Sequence, residues 1–144
     1  MRLDRMAFSL LAVVLLLGLA ACAGTGDEKD FLRAPELLSL EMAPNPVDAG
    51  EDTTFIVTWE DQEGDMAHPT VNLKIENEDD ETLLVPVTDV VVDGTETAGS
   101  LLFVIAPRVE YQGKCIVTVT DDSGNTSEEI EEYLYVNPLP GTAE

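Results

Sequence analysis

Thr53-Thr54-Phe55-Ile56-Val57-Thr58-Trp59 is a run of β-branched and aromatic residues in strict alternation. Phe55, Val57 and Trp59 fall on one side of an extended chain, and Thr54, Ile56 and Thr58 on the other, as a half-buried strand requires. The inward set Phe55, Val57 and Trp59 is the strongest core candidate. The same period continues on either side. Residues 37–42 form a first strand, stopped by Pro44-Asn45-Pro46, and residues 47–51 suit a turn. Beyond a polar loop at 60–69, Val71, Leu73 and Ile75 alternate with Asn72, Lys74 and Glu76. Residues 77–81 carry no apolar side chain and make a hairpin tip. Leu83, Val85 and Val87 follow, on a strand that Pro86 confines to a sheet edge because proline has no N–H for a ladder. Residues 90–92 lead into the turn pair Asp93-Gly94, and residues 100–105 form another strand. Cys115, Val117 and Val119 then point inward while Lys114, Ile116, Thr118 and Thr120 point outward. A tight turn at 121–125 precedes a closing strand at 128–136. Seven or eight strands over residues 37–137, with no helical period to compete, predict one all-β antiparallel sandwich. Their spacing is that of an immunoglobulin-like domain.

Specific residues sharpen this. The stretch FIVTW followed by a polar loop resembles the second strand of fibronectin type III domains, which ends in a core tryptophan. GKCIVTVTDDSGNTS, residues 113–127, resembles the F strand, F-G turn and start of the G strand of bacterial immunoglobulin-like and fibronectin-like domains. There is one departure. Those domains carry a tyrosine where this chain has Cys115, and Tyr111 lies four residues earlier. Either the corner is built differently or Tyr111 serves it from another angle.

Charge narrows the partners. The chain has 29 Asp and Glu against 7 Lys and Arg, a net charge of -22. Such a surface repels nucleic acid, whose binding depends on basic side chains neutralising phosphates, so no nucleic-acid partner is expected. Its natural partners are cations, basic surfaces, or nothing but water and salt, as for an acidic surface suited to a saline or divalent-rich environment.

The amino terminus is an address. Arg2 and Arg5 precede an apolar run from Met6 to Ala21, too short to favour a retained membrane span, and the run ends in Leu19-Ala20-Ala21-Cys22. That quartet resembles the lipobox of bacterial lipoproteins. The resemblance implies a signal-peptide helix over residues 1–21 that is cut away, and a diacylglyceryl group on Cys22. It further implies a membrane partner through that lipid in the bacterial cell envelope. Ala23, where an aspartate would favour the inner membrane, points to the outer membrane. Residues 22–36 then form the lipidated cysteine and a flexible tether, and residues 138–144 a tail. With Cys22 lipidated, Cys115 has no partner in its own chain, and the domain rests on its hydrophobic core.

Chemistry-bearing residues are few. His68 is the one histidine and sits in a polar loop with no second ligand type near it, so neither a nucleophile-base pair nor a zinc site can be assembled. No catalysis is expected. In this fold the B-C and F-G loops share a pole, which should gather Asp61, Glu63 and Asp65 near Asp121, Asp122 and Asn125. Calcium takes six to eight oxygens of this kind, and residues 60–65 resemble an acidic loop of cadherin-like and immunoglobulin-like domains, some of which bind calcium. Calcium at this pole is therefore one expectation, and acidic loops that merely stay soluble are the other. The chain as a whole suggests an anchored module for protein interaction or envelope structure. The alternative is an adhesive domain, dependent on calcium or binding carbohydrate, to which Tyr133 and Tyr135 could lend a small aromatic patch.

Overall fold

The computed structural model describes residues 33–141. Cys22, the expected signal peptide, most of the expected tether and the last three residues lie outside them. Nine strands appear in order: β1 (Glu36–Ala43), β2 (Val47–Asp48), β3 (Thr53–Glu60), β4 (Thr70–Asn77), β5 (Thr82–Val85), β6 (Val91–Gly94), β7 (Ala98–Ile105), β8 (Tyr111–Thr120) and β9 (Ile130–Asn137). They make a four-stranded sheet in the order β1-β3-β7-β6 and a five-stranded sheet in the order β2-β9-β8-β4-β5. Labelled by position, these are A-B-E-D and A′-G-F-C-C′, the strand order of an immunoglobulin-like sandwich.

The core follows from the alternation. Phe55, Val57 and Trp59 of β3, Val71 and Leu73 of β4, and Cys115, Val117 and Val119 of β8 are all buried in one cluster, with Ile75 packed against it. Phe55 lies opposite Phe103 in the β3–β7 ladder, and their rings stack at 5.0 Å between centroids. Offset aromatic pairs at such a distance add about 0.5–1.5 kcal/mol beyond their buried area.

Two expectations from the sequence need correction. Residues 47–48, expected in a turn, instead form β2, which pairs parallel with the end of β9 through Val47↔Val136 and Asp48↔Asn137. The chain leaves β1 at Pro44, crosses to the other sheet and buries Val47 and Ala49 there. A strand of two residues is too short to show alternation, so its burial could not be read from periodicity. Ile116 is the second case. It does point outward, but it is buried rather than exposed. Its cross-strand neighbours are Lys74 and Glu131. Lys74 pairs with Glu129 and Lys114 with Glu131, each at 3.4 Å, and the long stems of these side chains shield the isoleucine from water.

The E-F corner tyrosine is replaced by a different device. Tyr111, at the start of β8, donates its hydroxyl hydrogen bond to the Glu76 carbonyl at the end of β4, at 2.7 Å. Its ring reaches there by passing over Gly113, where any Cβ would collide with both the hydroxyl and that carbonyl. The glycine and the tyrosine work as a pair. Burial, with Cys115 and Glu76 nearby, pushes the Tyr111 phenol up to about 12.

Candidate functional site

The loop after β3 and the loop after β8 do meet at one pole. The Asp122 amide donates to the Asp65 carbonyl at 3.0 Å, and the Ser123 hydroxyl donates to the Asp65 carboxylate. The His68 amide donates to an Asp122 carboxylate oxygen at 3.3 Å, and the His68 ring lies 3.6 Å from the same oxygen. The described chain begins at this pole too, since the Arg33 guanidinium donates to Gln62 at 3.4 Å.

What these acids do is local. Asp61 is 2% exposed and its carboxylate accepts from the amides of Glu63 (3.4 Å) and Asp65 (3.1 Å) in its own loop. Asp121 is 5% exposed and accepts from the Asn125 amide at 2.8 Å and the Asn125 side chain at 3.1 Å. Each buried carboxylate closes a turn by satisfying backbone donors that would otherwise be stranded. Glu63 is exposed. Among the described residues no group of three or more His, Cys, Asp or Glu side chains is arranged to hold a metal ion. The donor set expected for calcium is therefore brought to one pole but not to one point. Asp61 and Asp121 each hold the backbone of their own turn, while Asp65 Oδ1, between the two turns, is buried with no hydrogen-bond partner among the described residues.

The surfaces that could bind something lie elsewhere. Tyr133 and Tyr135, on the outer face of β9, are 46% and 43% exposed, with rings stacked at 6.3 Å. Lys114 and Gln112 stand opposite them in the ladder. On the far side of the sandwich, Leu83 and Leu84 of β5 are 64% and 73% exposed, and Val91 of β6 and Val104 of β7 are also open. Leu83 and Leu84 face opposite sides of β5, so this edge strand is apolar on both of its faces.

The sheet edges differ in how they are finished. Asn45, between two cis X-Pro bonds, uses its side chain as a short strand: its amide donates to the Tyr133 carbonyl at 2.7 Å and its oxygen accepts from the Tyr135 amide at 3.1 Å. That closes much of the free side of β9. Cys115 is a buried free thiol whose desolvation raises it to about 12, so it is not a poised nucleophile.

No protein-family model matches the chain, and no curated protein matches it. Among solved structures, a superoxide reductase (neelaredoxin) from Ignicoccus hospitalis aligns over 73% of this chain and 81% of its own, at 14% identity and a TM-score of 0.46. The PKD domain of an M14-like peptidase from a Thermoplasmatales archaeon aligns over 71% of this chain and 94% of its own, at 14% identity and a TM-score of 0.45. Neither likeness brings an activity to this chain.

Proposed function

We propose that this is a lipid-anchored envelope protein that presents one immunoglobulin-like domain for protein interaction and does no catalysis. The observation that carries the interaction reading is the pair of exposed leucines, Leu83 and Leu84, on the edge strand β5. A soluble acidic surface has no use for large exposed leucines unless something covers them. The anchor rests on Leu19-Ala20-Ala21-Cys22. A diacylated Cys22 attaches firmly, since each buried methylene contributes about 0.8 kcal/mol and one chain alone holds only marginally. Ala23 directs the product to the outer membrane. Because the described chain begins beside Gln62, the lipid is connected to the sandwich through its acidic pole, and the hairpin at 77–81 belongs to the opposite end.

The test is to express the full chain and its Cys22→Ser form in a bacterium and fractionate the cells, with photo-crosslinking residues placed in turn at positions 38, 84, 104 and 133. The native chain is expected in the membrane fraction, the variant released from it, and crosslinks to another protein from at least one position. Equal fractionation of the two, or a lack of crosslinks from all four, overturns the proposal.

A second reading rests on Tyr133 and Tyr135. Two nearly parallel, half-exposed rings beside Gln112 and Lys114 form a platform on which a sugar ring could stack, with polar groups at its rim. Glycan-array binding that is lost in the Tyr133→Ala/Tyr135→Ala variant decides for it. A blank array, or binding that survives the substitutions, decides against.

A further inference from the structure

β5 is a finished strand on one side and an unfinished one on the other. On the β4 side the Asn77 amide donates to the Glu81 carbonyl at 3.1 Å, which makes Asn77 and Glu81 a hydrogen-bonded pair. Antiparallel ladders alternate bonded and non-bonded pairs. Ile75/Leu83 and Leu73/Val85 are then bonded, and Glu76/Thr82 and Lys74/Leu84 are not. The N–H and C=O groups of Thr82 and Leu84 therefore point away from β4. Among the described residues no strand meets them there. Pro86, next in the same parity, has no N–H and ends the row of donors.

The remaining edges are guarded. β1 is broken by a register shift between Leu37 and Ser39 and carries Glu36 and Glu41. β6 runs out in Asp93 and Gly94. The open side of β9 holds Asn45. Shifts, charges and covering groups of this kind are how sheets discourage further pairing. β5 has the sequence Thr-Leu-Leu-Val, uncharged throughout, with both leucines exposed. A groove of about 290 Å³ lined by Leu73, Leu84, Val85, Pro86 and Val87 lies against it.

We infer that β5 is the docking edge for an extended segment of another protein, which adds as a sixth strand, sets apolar side chains beside Leu83 and Leu84, and carries Lys or Arg at its end. The basic end follows from charge. Glu76, Glu78, Asp79, Asp80 and Glu81 crowd the Thr82 end of the strand, and the nearby cations, Lys74 and Lys114 (the latter opposite Glu76), are already paired with Glu129 and Glu131. In antiparallel addition the partner's carboxyl-terminal side meets that end, so its basic residues follow its apolar run. A second copy of this chain suits the edge less well, because it brings the same acids and a net charge of -22. The inference rests on the interaction-module reading and specifies its surface and partner chemistry.

The test uses the full chain in detergent, labelled for amide NMR, and two synthetic peptides: Thr-Val-Thr-Val-Thr-Val followed by three Arg, and the same run followed by three Glu. The arginine peptide is expected to shift the Thr82 and Leu84 amides and to bind about tenfold more tightly than the glutamate peptide. Leu84→Pro removes an outward N–H without touching the β4 ladder and should weaken binding by about tenfold. Leu84→Lys keeps the backbone intact and should weaken the arginine peptide while sparing or helping the glutamate one. Equal affinities, no binding at about 1 mM, shifts confined to β1 or the tyrosine face, or a β5-mediated dimer without peptide would each overturn the inference. The crosslinking scan decides the interaction-module reading separately: crosslinks from position 38 or 133 and not from 84 sink the edge assignment alone, and silence at every position sinks the reading itself.

Discussion

Tyr111 and Cys115, four residues apart on β8, turn their side chains to the same interior, and both resist ionisation. The phenol is raised from 10.0 to about 12, chiefly by burial, and the thiol from 9.0 to about 12 by burial alone. A group whose folded value lies above its unfolded one lends stability below the unfolded value and loses it as pH climbs toward the folded value. Stability should thus hold up to about pH 9 and fall between pH 9 and 12, with the thiol losing its share first. Urea melts across that window check this, and Cys115→Ala should remove the earlier part of the fall. At neutral pH the thiol should react with a thiol reagent only as fast as the domain unfolds. Gly113 offers a second check. Gly113→Ala should cost more than Tyr111→Phe, about 2–3 kcal/mol against about 1, because it displaces the ring as well as breaking its hydrogen bond. Urea midpoints of the two variants decide it. The partnership was half legible: the sequence showed a tyrosine out of its usual place, but not that a bare Cα at 113 lets it reach across to Glu76.

At the scale of elements, strands long enough to alternate were legible and short ones were not. β3, β4 and β8 disclosed their inward residues because six or more positions repeat a period of two. β2 had two residues in which to do so. Ile116 defeated the pattern because its cover comes from lysine stems on its own sheet face. Asn45 defeated it because a side chain was taking a strand's place. Asn45→Ala should destabilise the domain by about 1–2 kcal/mol and speed hydrogen exchange at the Tyr135 amide. If that amide exchanges unchanged, Asn45 is not closing the edge. The acidic loops were correctly gathered at one pole by fold topology, yet their purpose was not in the sequence. Whether a carboxylate faces an ion or its own backbone depends on turn geometry. Asp121→Ala should cost about 1–3 kcal/mol through its stranded amides. Millimolar calcium should raise the melting midpoint of the native chain no more than matched magnesium does. A calcium-specific rise would show that the two turns can reorganise around an ion.

For the whole molecule, the sandwich is one core shared by two sheets with unequal edges. In the proposed function its acidity, the exposed leucines of β5 and the run ending at Cys22 would concern different neighbours: solvent, a protein partner and a membrane. The fold was legible because alternation and turn chemistry act locally. The proposed docking edge was only partly so, since Pro86 marked β5 as an edge but could not show that the competing edges are guarded.

The proposed delivery by lipid rests on Leu19-Ala20-Ala21-Cys22. Intact-mass analysis of the protein purified from bacterial membranes tests it directly. The mature chain should begin at Cys22 and carry a diacylglyceryl group, with mass added for any further acyl chain on the new amino terminus. A chain that retains residues 1–21, or one that begins elsewhere with Cys22 unmodified, contradicts it.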